Sequence, residues 1–204
     1  MIHSIVIENF FSISDRQEID FRVPANAPDL ACFRDSRSVA GLRLPLIVGI
    51  YGPNASGKST VLHAITSTAT FVQFSFSLPP NNAIPLFNPY AHNTWWNRPS
   101  KIIIECDGLL EGIPSIFRYE LHIGNEPNQF GSDVSYESIF YAPKGKFRRL
   151  FERHKQEFTF GREFGITNGD SRLKSIRANA SVLSTLAQFN HKLSSDFISS
   201  LRGL

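Results

Sequence analysis

The eight residues Gly52-Pro53-Asn54-Ala55-Ser56-Gly57-Lys58-Ser59 fit the pattern G-x-x-x-x-G-K-[ST], which constrains this chain more than any other feature. Each fixed position has a physical reason. Gly52 and Gly57 let the backbone turn tightly and approach an anion with no Cβ in the way. The loop N–H groups between them, Pro53 excepted, form a nest for negative charge. A following helix adds the partial positive charge of its N-terminus. Lys58, the one catalytic candidate, can reach the β- and γ-phosphates of a nucleoside triphosphate. The Ser59 hydroxyl can ligate Mg²⁺. Thr60 is placed to donate to the α-phosphate.

The flanks supply the context the motif needs. Residues 44–51 are a nearly continuous apolar run ending in a glycine turn, which reads as a central strand buried on both faces. Residues 59–74 carry Leu62, Ile65, Ala69 and Val72 at helical spacing. Upstream, residues 2–10 and 16–23 read as two strands whose short link allows a hairpin. Residues 24–41 read as a loop with at most one helical turn.

Downstream, residues 78–99 form a long proline- and asparagine-rich connection with Trp95 and Trp96. Residues 101–106, 115–123, 134–141, 146–153 and 157–160 read as strands. The turn signals Asp107-Gly108 and Gly124-Asn125 favour antiparallel pairing. From Asp170-Ser171, a plausible N-terminal cap, the period becomes helical. Leu183, Leu186, Leu193, Phe197 and Leu201 then share one apolar face that runs to the end of the sequence. Such a stripe is expected to be covered by another protein segment or a partner.

Composition excludes several alternatives. Hydrophobic residues make up 42% of the 204 and charged residues 19%, so a packed core is available. The net charge of +3 permits nucleic-acid contact without arguing for it. Two distant cysteines, Cys32 and Cys106, point to a reduced chain. The N-terminus lacks a signal peptide, and no apolar run has membrane-spanning length, so the expected location is cytoplasmic and no membrane partner is expected.

The loop extended through Thr60 resembles the ATP-binding loop of ABC-type ATPase heads in the RecF, SMC and OLD-nuclease group. The opening Ile5-Val6-Ile7-Glu8-Asn9-Phe10 is similar to the N-terminal strand of those heads, and 16–21 to their second strand. The segment Ile176-Arg177-Ala178-Asn179-Ala180-Ser181-Val182-Leu183-Ser184 and the strands around 117–121 and 134–140 also resemble bacterial AAA family ATPases with ABC-like heads. These are often encoded beside restriction, retron and other phage-defence systems. The resemblance implies an α/β P-loop NTPase fold: an ABC-ATPase-like head lobe with an added antiparallel β layer. It implies ATP and Mg²⁺ as ligands, and a second ATPase head or another copy as partner. Nucleic acid or a nuclease effector are further candidates.

On that reading residues 1–204 are one incomplete head. Residues 1–78 hold the N-terminal strands, loop and helix, 79–166 the connection and antiparallel strands, and 167–204 the start of a helical region. Two departures matter. Phe11 stands where RecF and SMC heads carry a basic residue. The Walker B strand, signature motif and switch residue, which such heads place in a C-terminal lobe, are not in this sequence. Glu105, after Ile102-Ile103-Ile104, is a weak substitute that reads better as a strand-edge residue. Leu183-Ser184-Thr185 begins like a signature motif but lacks its glycines, and reads as a core-facing helix.

Other candidates have ordinary readings. Lys144, Lys146, Arg148, Arg149, Arg153 and Lys155 could track a nucleic-acid backbone, but such a run is more often the solvated face of a strand. Trp95 and Trp96, or Phe10 and Phe11, could stack on a base, although packing is the commoner use. A non-catalytic module, with nucleotide as a structural ligand and the helix stripe binding a partner, is the alternative. No guanine-reading motif, metal-ligand spacing or Ser–His–Asp arrangement stands out.

Overall fold

A computed structural model describes residues 1–85, 87–92, 94–124, 133–143 and 145–202. In chain order the strands are β1 (Ile2–Glu8), β2 (Gln17–Asp20), β3 (Phe33–Asp35), β4 (Arg43–Pro45), β5 (Ser100–Leu110), β6 (Ile113–Ile123), β7 (Val134–Ala142), β8 (Arg148–His154) and β9 (Glu157–Phe160). The helices are α1 (Lys58–Phe74), α2 (Val182–Gln188) and α3 (Lys192–Arg202). Seven strands form one antiparallel sheet in the order β2-β1-β5-β6-β7-β8-β9, while β3 and β4 form a separate pair.

The β1–β2 hairpin and the run from β5 to β9 follow the expected pairing. One expected turn does not occur. Asp107-Gly108 lies inside β5, and the chain reverses at Glu111-Gly112, both at positive φ (52° and 81°) as a tight hairpin turn requires. Gly108 serves packing instead: a Cβ there would stand 2.6 Å from the Phe117 ring.

Alternation along β5, β6 and β7 sends Ile102, Ile104, Phe117, Tyr119, Leu121 and Ile139 to one buried face. The three helices cover that face. Phe197 of α3 lies 5.6 Å from Phe117 and 5.8 Å from Tyr119, centroid to centroid. The stripe of Leu183, Leu186, Phe197 and Leu201 is therefore buried in this chain's own core, with Leu193 packed against it. It does not await an outside cover. It is also split between α2 and α3, which are separated by a turn at Phe189–His191.

A charged cluster sits inside this packing. Glu137 and Arg153 are both fully buried, with Arg153 Nη1 3.6 Å from Glu137 Oε2. Glu137 accepts from Tyr119 Oη (3.0 Å), Ser181 Oγ (2.5 Å) and the Val182 N–H (2.9 Å). Arg153 donates to the carbonyls of Ala180 (2.6 Å), Arg177 (3.0 Å) and Lys155 (2.6 Å). Burial raises the Glu137 carboxyl above its ordinary value against the pull of Arg153 and these donors.

The segment this cluster holds also grips the end of α1. Asn179 Nδ2 donates to the carbonyls of Pro79 and Asn82, the Ser181 N–H to Ser75 Oγ, and Arg177 to the Phe76 carbonyl. The expectation of a solvated basic strand face fails at Arg153. Alternation along β8 points it inward together with Phe151.

The largest departure lies before the phosphate-loop motif. Of the apolar run 44–51, only Leu44 and Pro45 lie in a strand, as part of β4. Ile47 is 86% exposed and Tyr51 93%. Among the described residues, 47–51 join neither sheet, and β1 is paired with β2 and β5 instead. An apolar run reads as a buried strand only when neighbouring strands are there to bury it. The loop expected at 24–41 likewise contains β3, paired with β4.

Breaking the ionic cluster is expected to be costly. Glu137→Ala leaves Arg153 buried without its carboxylate and should lower unfolding free energy by about 3–5 kcal/mol in urea titrations. Glu137→Leu with Arg153→Met should cost less than the two single losses added together. The cysteines provide a second check. Cys32 is exposed, whereas burial pushes the Cys106 thiol up to about 12. A thiol reagent at neutral pH should modify Cys32 in the native protein and reach Cys106 only after unfolding.

Candidate functional site

The motif forms a loop that delivers the chain into α1. Gly57 is the N-cap with φ +88°, and Ala55 also lies at positive φ (65°). Gly52 has φ +155°, and a Cβ on it would meet Ser56 Oγ at 2.8 Å. The Ser56 N–H reaches the Pro53 carbonyl (3.3 Å), closing the turn. No side chain caps the start of α1, and its first turn has no acidic residue. The first N–H groups and the positive end of a 17-residue helix thus converge on the loop with no acidic side chain in the helix's own first turn.

Gly52, Pro53, Asn54, Ala55, Ser56 and Ser59 are exposed, Gly57 and Lys58 half-buried, and Thr60 buried. The Lys58 ammonium folds onto its own loop. It donates to the carbonyls of Gly52 (2.9 Å) and Pro53 (2.5 Å), with Ser56 Oγ at 3.4 Å. A cavity of about 390 Å³ lies beside it, bounded by the loop, Tyr51 and the β1–β2 hairpin, including Ser12, Asp15 and Glu18.

The hairpin turn is the part of the site that the motif does not announce. Ser12 Oγ lies 2.6 Å from Thr60 Oγ1 on the first turn of α1. Asn9 and Phe11, on either side of buried Phe10, both have positive φ (51° and 48°). Asn9 is fully buried. Its Nδ2 donates to the carbonyls of Trp95 (3.0 Å) and Arg98 (2.7 Å), and its Oδ1 accepts from the Tyr90 N–H (2.9 Å). The available sequence signal was an asparagine, tolerant of left-handed backbone, at the end of a strand.

Three of the four aromatic candidates, Phe10, Phe11 and Trp95, are engaged by neighbouring side chains. Phe10 packs edge-on against Phe87 and Phe11, and Phe11 stacks on His63 of α1. Trp95 contacts Tyr90 and Arg98, while Trp96 is 47% exposed.

Glu105 is not at a strand edge, since β5 is paired on both sides. Its carboxylate is held by Arg22 (2.5 Å) and Arg118 (2.6 Å). His3, Asp107 and Ser36 do meet, but Asp107 lies between the other two, at 3.0 Å from His3 and 2.7 Å from Ser36, so they do not form a base–nucleophile pair. Burial would raise Asp107, but hydrogen bonds from His3, Ser36 and Ser38 outweigh it and hold the carboxyl well below its ordinary range.

The basic run is divided. Arg149 pairs with Glu152 (2.8 Å), Arg153 is buried, Lys146 and Arg148 are exposed, and Lys144 lies outside the described residues. Among the described residues no group of three or more His, Cys, Asp or Glu side chains is placed to hold a metal ion, and no helix is long and apolar enough to cross a membrane.

A glycine-bounded loop entering an uncapped helix, beside a mainly antiparallel sheet, fits a P-loop NTPase. Residues 4–202 match the model of the AAA domain family, and the chain belongs to that family. Family membership carries nucleotide binding of the ATPase type. No curated protein and no solved structure matches the chain.

Gly57→Ala isolates the backbone requirement. The nearest atom to an added Cβ is Ser12 Oγ at 3.6 Å, an ordinary contact, so the cost is conformational. A loss of about 1–2 kcal/mol is expected in urea unfolding, the usual cost of a left-handed non-glycine residue.

Proposed function

We propose that this chain is the MgATP-binding N-terminal lobe of an ABC-type ATPase head. The observation that carries this reading is the left-handed Gly57 feeding Lys58 into an uncapped, acid-free helix N-terminus. In this role the N–H groups of the loop and of the first turn of α1 bind the phosphates. Lys58 exchanges its loop carbonyls for the β- and γ-phosphate oxygens, so ligand contacts replace internal ones. The Ser59 hydroxyl holds Mg²⁺, whose chemistry is to neutralise charge on the phosphates.

Hydrolysis also needs a carboxylate for the metal and a group to orient water. Glu105 is committed to Arg22 and Arg118, so these groups come from a C-terminal lobe, a second head or another copy of the chain. The exposed apolar segment 46–51 supports a further lobe, because a neighbouring strand would bury it. A cytoplasmic role in phage defence or DNA maintenance, with nucleic acid or a nuclease effector as partner, is supported by resemblance alone. The non-catalytic module loses its supporting observation, since the helix stripe it would use is buried in the core.

Calorimetric titration with MgATP tests the reading. Lys58→Ala should weaken binding about 10- to 100-fold, the effect of losing charge-assisted hydrogen bonds. Glu105→Gln should leave affinity unchanged. Equal affinity of the parent and Lys58→Ala would sink the assignment of the loop.

A further inference from the structure

We propose that Ser12 is a positioning residue of this nucleotide site, acting with Thr60 as one coupled hydroxyl donor to a ligand phosphate oxygen. The proposal rests on the reading of the loop as a nucleotide site.

Two hydroxyl groups 2.6 Å apart share one hydrogen bond and hold two protons between them. One proton lies in the bridge. The other remains free to donate, from Thr60 if Ser12 is the bridging donor and from Ser12 if Thr60 is. Among the described residues neither hydroxyl has another hydrogen-bond partner. Bridging also polarises the outer O–H, making it a stronger donor than a lone hydroxyl. Thr60 is 6% exposed and occupies the first turn of α1, whereas Ser12 is exposed and faces the cavity with Ser56, Gly57 and Lys58. The pair therefore joins a helix position beside the phosphate loop to the open space before it.

The backbone that presents Ser12 is strained and held from several sides. A phenylalanine at φ +48° is an outlier for a bulky side chain. Phe11 is kept there by its N–H bond to the Asn88 carbonyl (2.9 Å) and by stacking on His63 of α1. Asn9, also left-handed, is fixed by its buried bonds to the 90–98 segment and by Ser100 Oγ on its carbonyl (2.6 Å). The Phe10 N–H to Ile13 carbonyl bond (2.8 Å) and its reciprocal (2.9 Å) close the turn. Strain persists only where the surroundings over-determine it, and here it fixes one exposed hydroxyl against the helix that carries Lys58.

The test is MgATP titration of the full chain carrying Ser12→Ala, Ser12→Thr, Thr60→Val or the double change Ser12→Ala/Thr60→Val, beside Lys58→Ala, with thermal unfolding of each. Ser12→Ala and Thr60→Val should each weaken binding about tenfold, and the double change should be no weaker than Thr60→Val alone. Ser12→Thr, which keeps the hydroxyl, should bind within about twofold of the parent, and unfolding midpoints should change little. Parent-like affinity of Ser12→Ala while Lys58→Ala loses binding would overturn the coupled donor and leave the loop assignment standing. Losses that multiply in the double variant, or failure of Ser12→Thr to restore affinity, would overturn it too. No binding by the parent, or binding unaffected by Lys58→Ala, would overturn both readings.

Discussion

Arg153 and Glu137 are removed from water together, and that is tolerable only because every strong donor and acceptor they carry is used. The pair on β7 and β8 reaches across to the backbone of 177–182, so the sheet cannot satisfy its own buried charges without that segment. The dependence is mutual. Ser181 caps α2 through the N–H groups of Leu183 and Ser184, while its hydroxyl also donates to Glu137. The carbonyls of Arg177 and Ala180 would lose their guanidinium donor without Arg153. Charge, cap and strand register therefore stand or fall together.

The same segment fixes the far end of α1. Ser184 Oγ meets the Gln73 carbonyl and the Phe76 N–H, and Ser75 Oγ accepts from the Ser181 N–H. At the near end, Ser12 and Phe11 hold Thr60 and His63. The helix that starts at Lys58 is thus held at both ends by contacts rooted in the antiparallel sheet. On the proposed reading, a loop that binds phosphate through aligned N–H groups gains from such an anchor, because a flexible loop would have to be ordered on each binding event.

Much of this was legible in the sequence, and the failures share one cause. Local signals located the β1–β2 hairpin, β5 to β9, α1 and the glycine-bounded loop before it, because alternation, helical period and glycine placement are properties of neighbouring residues. Signals that depend on what lies across the fold misled. Gly108 looked like a turn residue, but the nearby Phe117 ring explains it. Arg153 looked like part of a basic surface, because the carbonyls that receive it are 24 and 27 residues away. The stripe from Leu183 to Leu201 looked unpartnered because its cover, Phe117 and Tyr119, comes much earlier in the chain. Ser12 carried no motif at all. Only the fold shows that its hydroxyl meets Thr60.

The segment 46–51 is the complementary case, since its composition describes a buried strand while among the described residues it joins no ladder. It runs directly into Gly52, and Tyr51 borders the same cavity as Lys58. Lys58 meanwhile satisfies its charge on the carbonyls of Gly52 and Pro53, the first residues after that segment. On the proposed reading, a nucleotide that draws Lys58 away releases those carbonyls, and a neighbouring strand that orders 46–51 fixes the residues that carry them. Two events acting on one short backbone segment are thermodynamically linked, and each changes the affinity of the other by the same factor. Strand pairing beside the loop and phosphate binding within it are then two halves of one equilibrium. The sheet anchors α1 and the Ser12 turn on one side of the loop, and on the proposed reading the other side, at 46–51, is where a neighbouring strand would act.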